Sequence, residues 1–335
     1  MITLEEFLSK WQNESPYIEV KTSGSTGVPK RMLVEKCRML NSARITCDFL
    51  GLKPGDTALL CMSLDYIAGK MMVVRSIERD LNLVTVEPSG HPLAAATHAP
   101  NGKTFLDFAA MVPLQVYNSL QVPEERERLR QIRHLIIGGS AVDDALVDAL
   151  RDFPNAVWST YGMTETLSHI ALRRLNGPDA SDWYTPLPSV SVSLSPDHCL
   201  VINAPEVCPD RLVTNDIAEL SSVNCQPSTV NCQYFRILGR RDNTICSGGL
   251  KIQAEELERQ LRPHLCVPYI ITKRPDEKFG EIVVLLTEGS VDEARQVCER
   301  ILPKFHQPRA YVHVTRIPLT RTGKPARREA EELAR

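Results

Sequence analysis

A run of hydroxyl-bearing and glycine residues follows the first strand-like segment of the chain. TSGSTGVPK at 22–30 comes directly after YIEVK at 17–21. Its hydroxyls and unobstructed backbone N–H groups can bind phosphate oxygens, and Lys30 adds a positive charge. The GxxxxGK[ST] spacing of a Walker A loop is absent. The pattern favours a phosphate loop of another kind, and a serine- and glycine-rich surface turn is the alternative.

Three further residues have side chains suited to nucleotide chemistry. Glu165, in the polar segment YGMTET, is a hard oxygen donor of the kind that holds Mg²⁺, and Thr164 beside it can donate a hydrogen bond to a phosphate. Asp216 can accept hydrogen bonds from both hydroxyls of a ribose. Lys324, preceded by glycine, can bridge a carboxylate and a phosphate oxygen. Taken singly, Glu165 could instead be a solvated loop carboxylate and Lys324 one more charge in a basic tail.

Length and composition limit the classes of protein to which the chain can belong. Its 335 residues correspond to about two domains. A net charge of −2 argues against a polybasic nucleic-acid binder, and 43% hydrophobic with 24% charged residues indicates an ordered globular chain. The ten cysteines show no CxxC pair, so neither a zinc knuckle nor a disulfide framework is indicated. Without a signal peptide or a long apolar run, we expect a reduced cytoplasmic protein with no membrane span.

The order of predicted elements indicates an α/β protein. Up to residue 162, helical and strand-like segments alternate, which predicts stacked βα units around a largely parallel sheet. Short strands with turn residues after about residue 183 predict a small antiparallel β subdomain. GRRDNTICSGG at 239–249 is charged and rich in glycine, as in a linker, and a compact α+β unit follows it. The predicted organisation is an N-terminal domain at 1–238, a hinge at 239–243 and a small mobile C-terminal domain at 244–335. Helices are predicted over 1–12, 33–50, 67–79, 123–131, 143–153 and 254–261, and strands at 17–21, 58–64, 82–88, 134–139 and 156–162.

Six segments, in the same order along the chain, resemble motifs of the adenylate-forming acyl-CoA synthetases, the group that includes luciferase and nonribosomal-peptide adenylation domains. On this resemblance the chain is identified as a member of that superfamily. The resemblance implies an ATP-dependent acid–thiol ligase that uses Mg²⁺ and coenzyme A. It would form an acyl-adenylate with release of pyrophosphate and then a thioester with release of AMP. The six segments are TSGSTGVPK at 22–30, GGSAV at 138–142, YGMTET at 161–166, VTNDIAEL at 213–220, FRILGRRDNTICSGGLKIQAEELE at 235–258 and PLTRTGKPARRE at 318–329.

The resemblance also implies a role for each matched residue. Catalysis is assigned to Lys324, Thr164 and Glu165, and Glu165 is also the metal ligand. Tyr161 would stack beside the adenine, Asp216 and Arg240 would hold the ribose, and Asn215 stands where glycine is more common. After adenylation the C-terminal domain would rotate about Asp242, so that Gly248, Gly249 and Lys251 border the path of the coenzyme A thiol. The nucleotide-binding set is Thr22, Ser23, Gly24, Ser25, Thr26, Gly27, Lys30, Gly138, Gly139, Ser140, Tyr161, Gly162, Asp216 and Arg240.

Arg75 bears on the identity of the acid. It stands among apolar residues of a predicted helix, where a cation needs a partner. One interpretation is a structural salt bridge, and the other is a clamp for a second carboxylate on the substrate. The segment 61–81, together with Ser168 and His169, resembles a short o-succinylbenzoate–CoA ligase of menaquinone biosynthesis, in which an arginine at the matching place serves the succinyl side of the acid. His169 could equally be a satisfied loop histidine, and Asp65 stands where many relatives carry histidine.

The alternatives differ in substrate, acceptor or class. They are a ligase for another small or aromatic acid, a ligase that delivers to a carrier protein, and a non-catalytic nucleotide-binding module. The phosphate loop begins at residue 22, whereas most relatives carry a large subdomain ahead of it. We therefore expect the exposed edge of the sheet to be covered either by residues 1–20 or by the second subunit of a homodimer. No nucleic-acid partner is expected.

Overall fold

The computed structural model describes residues 2–21, 31–96, 106–221, 234–320 and 325–335. The helices and strands up to Pro186 alternate between Lys36 and Gly162, as the sequence predicts, except that two helices are consecutive at 113–131. These elements are α1 (Leu4–Gln12), β1 (Tyr17–Lys21), β2 (Arg31–Glu35), α2 (Lys36–Leu50), β3 (Thr57–Leu60), α3 (Ile67–Arg79), β4 (Asn82–Thr85), α4 (Pro92–Ala95), β5 (Phe108–Met111), α5 (Pro113–Gln121), α6 (Pro123–Gln131), β6 (His134–Ile137), α7 (Asp144–Leu150), β7 (Ala156–Gly162), β8 (His169–Arg174) and β9 (Thr185–Pro186).

The largest sheet has seven strands in the order β4-β3-β5-β6-β7-β8-β9. Strands β4, β3, β5, β6 and β7 are parallel to one another, and β8 and β9 continue the sheet antiparallel. Every residue of β3 and β5 is buried, as expected where helices cover both faces of a parallel sheet. The α/β fold class with a largely parallel sheet is therefore confirmed.

One continuous core lies between this sheet and its helices. Leu59, Ala109, Leu135 and Val157 come from four adjacent parallel strands and pack with the buried residues of α5, α6 and α7. Removal of these apolar side chains from water supplies the main stabilisation of the sheet. The core thereby fixes the strand ends from which the functional loops leave. The helical residues of this cluster are Val116, Leu129, Leu146 and Leu150.

The prediction of a helix over 33–50 is wrong at its start. Residues 31–35 form β2, which pairs antiparallel with β1, and α2 begins only at Lys36. Val34 lies opposite Ile18, and both are buried, so the apolar side chains of the two strands share one face. β1 pairs with β2 rather than with an edge strand of the large sheet. Cover of that sheet edge by a second subunit stays a prediction.

The remaining elements form two further sheets. The predicted short strands are β10 (Ser191–Leu194), β11 (Cys199–Asn203), β12 (Leu212–Ser221) and β13 (Tyr234–Arg240), which lie in this order in a four-stranded sheet. A 3-10 turn at Arg241–Asn243 follows. The other sheet has the strand order β15-β14-β17-β16, with β18 parallel to β17. Three helices lie between or after its strands along the chain. Its elements are β14 (Thr244–Ser247), β15 (Leu250–Gln253), α8 (Ala254–Leu261), β16 (Tyr269–Asp276), β17 (Gly280–Thr287), α9 (Val291–Ile301), β18 (Ala310–His313) and α10 (Arg327–Leu333).

Interpretation of all of 239–249 as a linker is also wrong. Residues 244–247 form β14, in which Ile245 and Ser247 are buried while Cys246 is exposed. This alternation is typical of a strand with one covered face, although the segment contains few apolar residues. Contacts divide the chain into one unit of residues 1–192, 202–212 and 221–235, and another of 193–201, 213–220 and 236–335. A hinge at 239–243 stays a prediction. No helix in the described part of the chain is long and apolar enough to cross a membrane.

An ion pair in the second unit connects α8, β16 and α10. Arg327 donates from Nη1 and Nη2 to the two carboxylate oxygens of Glu258 at 2.7 Å each, and from Nη1 to the carbonyl of Ile271 at 2.7 Å. Glu258 also accepts from the backbone N–H of Ile271 at 2.9 Å. Because both side chains are largely buried, loss of one partner would leave a poorly solvated charge.

We predict that Arg327→Met lowers the free energy of unfolding by about 2 to 4 kcal/mol, because it leaves the largely buried carboxylate of Glu258 without its cationic partner. Arg328→Met is the matched control, since the Arg328 side chain is 92% exposed and its ion pair with Glu332 lies on the surface. The control should change stability by less than about 0.5 kcal/mol. Urea titration followed by circular dichroism measures both values. Equal stability of the two variants would contradict a structural role for the Arg327–Glu258 pair.

Candidate functional site

Two glycine-containing loops leave the large sheet side by side. Gly138, Gly139 and Ser140 follow β6, and Tyr161 and Gly162 end the neighbouring parallel strand β7. Because parallel strands end at the same edge of a sheet, these predicted nucleotide-binding residues are brought together. A Cβ atom at Gly138 would lie 2.3 Å from Oγ1 of Thr160, and Gly139 has φ +85°. Glycine is therefore required at the first position by space and favoured at the second by backbone conformation.

Tyr161 is part of an aromatic cluster that the sequence analysis did not predict. Its ring lies edge-on to Phe235, with ring centroids 5.2 Å apart, and 5.9 Å from the ring of Tyr184. Tyr184 stacks on Phe235, and its hydroxyl lies 2.9 Å from Oγ of Ser159. The packing restricts the ring of Tyr161 in a way that suits a flat base. No sequence signal connected Phe235 with Tyr161, because 74 positions separate them.

The segment after β7 folds back on Gly162. A Cβ atom at this position would lie 2.2 Å from the carbonyl oxygen of Ser168. The fully buried Thr166 closes the turn, since its hydroxyl accepts from the N–H of Met163 at 3.0 Å and donates to the Ser168 carbonyl at 2.8 Å. This turn carries the two predicted catalytic residues, of which Thr164 is buried and Glu165 is exposed. The sequence analysis assigns no role to Thr166, although this residue belongs to the YGMTET motif.

The exposed carboxylate of Glu165 fits a role in binding Mg²⁺. Within the described ranges no group of three or more His, Cys, Asp and Glu side chains could hold a metal ion. Mg²⁺ commonly uses one or two protein carboxylates together with water and the phosphates of a nucleotide. A single exposed carboxylate in a loop next to the sheet edge meets that requirement. The role of Glu165 as metal ligand remains a prediction.

Arg75 joins a buried chain of hydrogen bonds. Its Nη2 donates to Oγ of Ser168 at 2.6 Å, and Oγ lies 3.3 Å from Nδ1 of His169. Nε2 of His169 lies 3.1 Å from Oγ1 of Thr46, which in turn contacts the carbonyl of Ser42 at 3.0 Å. Because the Thr46 hydroxyl donates to the Ser42 carbonyl, it accepts from Nε2–H of His169, and a neutral His169 then has Nδ1 as the acceptor for the Ser168 hydroxyl. Thr46 is a member of this network that sequence analysis missed.

Arg75 has no acidic partner among the residues that the structure describes. Only 2% of its surface is exposed, and burial lowers its pKa to about 10. Nη1 of Arg75 also contacts the thioether of Met72 at 3.8 Å, and among the described residues its Nε has no hydrogen-bond acceptor. Burial, with a smaller contribution from Arg75, holds the pKa of His169 well below its ordinary value. The interpretation of Arg75 as half of a structural salt bridge is therefore not supported in this part of the chain.

Space beside this network is small. A cavity of about 10 Å³ lies against His169 and is lined otherwise by Ile45, Ile170, Val190 and other mainly apolar residues. That volume accommodates no more than one water molecule. A bound acid would therefore have to displace side chains or approach from the side of the loop at 163–168.

In the second unit, the predicted ribose residues are paired across two neighbouring strands. Nη1 of Arg240, at the end of β13, donates to Oδ1 of Asp216 on β12 at 3.2 Å. Its Nη2 donates to Oδ2 of Asp242 at 2.8 Å. Burial lowers the pKa of Arg240, but the carboxylates of Asp242 and Asp216 outweigh that effect and raise it overall. The pairing brings the two predicted ribose residues into contact, and their role in binding ribose stays a prediction.

The predicted coenzyme A residues form the tip of a hairpin. Gly248 and Gly249 connect β14 to β15 with φ values of +57° and +85°, and Lys251 is exposed on β15. A two-residue turn with positive φ at both positions matches the twist of the strands it connects. The phosphate-loop residues Thr22, Ser23, Gly24, Ser25, Thr26, Gly27 and Lys30, and the catalytic candidate Lys324, lie outside the described residues.

The profile of the AMP-binding enzyme family matches residues 6–210. This chain belongs to that family. The membership predicted from the six motifs is thereby confirmed. A structure of an acyl-CoA synthetase (AMP-forming)/AMP-acid ligase II-like protein from Dyadobacter fermentans is 31% identical, with a TM-score of 0.64 over 97% of this chain and 91% of that one.

Two other similar proteins are named for the same activity. The 2-succinylbenzoate–CoA ligase of Listeria monocytogenes serotype 4b is 25% identical over 97% of this chain and 72% of its own length. The O-succinylbenzoate coenzyme A synthetase of Bacillus subtilis, solved with ATP and a magnesium ion, has a TM-score of 0.75 at 21% identity, covering 93% of this chain and 69% of that one. At 21% identity, the similarity to the Bacillus subtilis structure shows only that the two chains share a fold.

We predict that Thr166→Val disturbs the turn that carries Thr164 and Glu165. The change keeps the volume of the side chain but leaves the Met163 N–H and the Ser168 carbonyl without a buried partner, at a cost of about 1 to 3 kcal/mol. ATP–pyrophosphate exchange should fall at least about tenfold. Thr85→Val, at an exposed position of β4, is the matched control and should leave exchange unchanged. Normal exchange by the Thr166 variant would show that the turn does not depend on this hydroxyl.

Proposed function

We propose that this AMP-binding enzyme is an acid–CoA ligase whose acid is o-succinylbenzoate. The observation that carries the proposal is the buried guanidinium of Arg75, which has no described acidic partner and contacts the loop that holds Thr164 and Glu165 through Ser168. The Listeria relative is a 2-succinylbenzoate–CoA ligase, which supports the same acid. The Bacillus subtilis structure with ATP and magnesium supports the nucleotide and the metal.

The reaction needs two steps because a carboxylate is a poor electrophile. In the first step, a carboxylate oxygen of the acid attacks the α-phosphorus of ATP and pyrophosphate leaves. In the second, the sulfur of coenzyme A attacks the acyl carbon and AMP leaves. Bound Mg²⁺ neutralises charge on the phosphates, as in other phosphoryl and nucleotidyl transfers.

We assign the following roles to residues of this chain. Thr164 donates its hydroxyl to the α-phosphate, and Glu165 holds Mg²⁺. Gly138, Gly139, Ser140 and Tyr161 bind the adenine, while the loop at 22–30 binds the phosphates. Asp216 and Arg240 hold the ribose. Lys324 stabilises the charge that develops between the acid and the α-phosphate, and the hinge at Asp242 then removes Lys324 so that the thiol can enter past Gly248, Gly249 and Lys251.

A diacid suits the surroundings of Arg75. Burial of an unpaired cation is costly, and a carboxylate on the ligand would offset that cost. O-succinylbenzoate has two carboxylates, so one can be activated while the other binds a cation at a distance. Ser168 accepts a hydrogen bond from the guanidinium and contacts neutral His169 in turn, and the Nε of Arg75 has no acceptor among the described residues. A monocarboxylic acid would leave the charge of Arg75 unpaired.

The direct test of this function measures products. Enzyme, Mg-ATP, coenzyme A and o-succinylbenzoate should yield AMP and the thioester. Fast turnover of benzoate or fatty acids without turnover of o-succinylbenzoate would refute the acid but retain the ligase. Absence of ATP–pyrophosphate exchange with every acid tested would favour a non-catalytic nucleotide-binding module.

We predict that Arg75→Gln lowers kcat/KM for o-succinylbenzoate about 100-fold or more, because the remote carboxylate loses its cation. For benzoate, which has no second carboxylate, any residual activity should change less than about threefold. Arg79→Gln, one turn further along α3 and paired with Asp48, is the control at the same helix. Equal loss for both acids would assign Arg75 to folding rather than to recognition of a diacid.

We predict that Lys324→Ala abolishes most adenylation but keeps the second half-reaction. Adenylation should fall at least about 100-fold, because a cation at the developing charge is lost. Thioester formation from preformed acyl-adenylate should stay within about threefold of the parent enzyme, since Lys324 has left the site by then. Lys304→Ala, at an exposed position, is the control. Equal loss of both half-reactions would contradict alternation of the domain.

A further inference from the structure

Asn215 bridges two consecutive residues of the predicted hinge. It lies on β12 immediately before Asp216. Its Oδ1 accepts from Nη2 of Arg241 at 2.9 Å, and its Nδ2 donates to Oδ2 of Asp242 at 3.4 Å. One carboxamide therefore contacts a cation and an anion at the same time.

Neighbouring contacts hold the same residues to the same strand. Arg240 binds Asp216 at 3.2 Å and Asp242 at 2.8 Å. Arg241 also donates to Asp197 at 3.2 Å. The side chains of residues 240–242 are thus engaged with the segments at 193–201 and 213–220.

The next two residues have different partners. Nδ2 of Asn243 donates to Oε1 of Glu255, and Oγ1 of Thr244 accepts from Nε2 of Gln253 at 2.8 Å. Both partners lie at the junction of β15 and α8. The change of partners along the chain falls between Asp242 and Asn243.

We propose that Asn215 is a positioning residue that anchors the N-terminal side of the hinge, an inference that rests on the proposed two-step function. The asparagine keeps Arg241 and Asp242 on the strand that carries Asp216, so the backbone turns at the Asp242–Asn243 junction while the ribose pair of Asp216 and Arg240 stays in place. Its amide is suited to the task because it offers an acceptor to Arg241 and a donor to Asp242. An aspartate at position 215 would repel Asp242, and a glycine there would make neither contact.

Hydrogen exchange tests the anchor without any substrate. In Asn215→Ala and Asn215→Gly, the backbone amides of residues 240–243 should exchange about fivefold faster, as expected for loss of one net hydrogen bond. Asn203→Ala is the matched control, because this exposed asparagine of the neighbouring strand β11 donates to Oγ of Ser191 and contacts none of residues 240–243 by a hydrogen bond. Unchanged exchange at 240–243 in both Asn215 variants would overturn the proposal.

A double-mutant cycle tests the partner. Asn215→Ala combined with Arg241→Ala should accelerate exchange less than the product of the two single effects, because the two changes remove one shared contact. Multiplicative effects would overturn the assignment of Arg241 as the partner of Asn215.

Kinetics then separates an anchor from a residue that only stabilises the fold. In Asn215→Ala, the ratio of the adenylation rate to the thioester-forming rate should change at least about threefold, with melting temperature within about 2 °C of the parent protein. Equal scaling of both half-reactions would overturn the positioning role. If the parent protein forms no adenylate with any acid, the proposed function fails, whereas the exchange experiment still decides whether Asn215 anchors residues 241 and 242.

Discussion

Parallel pairing of β6 with β7 is the constraint on which the candidate site depends. It places the loop at Gly138–Ser140 beside the end of β7, and the backbone after β7 then folds back so closely that only glycine fits at Gly162. Thr166 closes this turn with bonds to Met163 and Ser168. Without that pairing, the loop at 138–140 and the loop of Thr164 and Glu165 would have no common edge.

A guanidinium is buried within the same region and contacts the loop after β7 through Ser168. Hydrogen bonds connect Ser168, His169 and Thr46, and burial keeps His169 neutral. The charge of Arg75 is left without a described counter-ion. A folded protein seldom retains such a cost without a function, and recognition of an anionic ligand is the one that the surrounding groups support.

The elements that sequence predicted well have strong local signals. AEELERQL coincides with α8, because its apolar residues repeat at helical spacing and acidic residues begin it. β2 is not predicted from the sequence, because five residues directly before a helix are too few to show an alternation of apolar and polar side chains. β5 and α5 went unpredicted because FAAM is short and contains weak strand formers. The sequence does not indicate β14, because Ile245 shares the buried face with the polar Ser247 and the exposed residue is Cys246, which gives no alternation of apolar and polar types.

The sequence by itself determined the family, the order of the motifs and the chemical type of each candidate residue, because motif chemistry depends on residues close together in the chain. The α/β class followed from the alternation of local patterns. Only the tertiary structure decided that Phe235 and Tyr184 pack around Tyr161, that Arg75 meets Ser168 rather than an acid, and that Asn215 meets Arg241. These contacts join residues that are 23 to 93 positions apart in the chain. Such pairings arise from sheet register and core packing rather than from any local pattern.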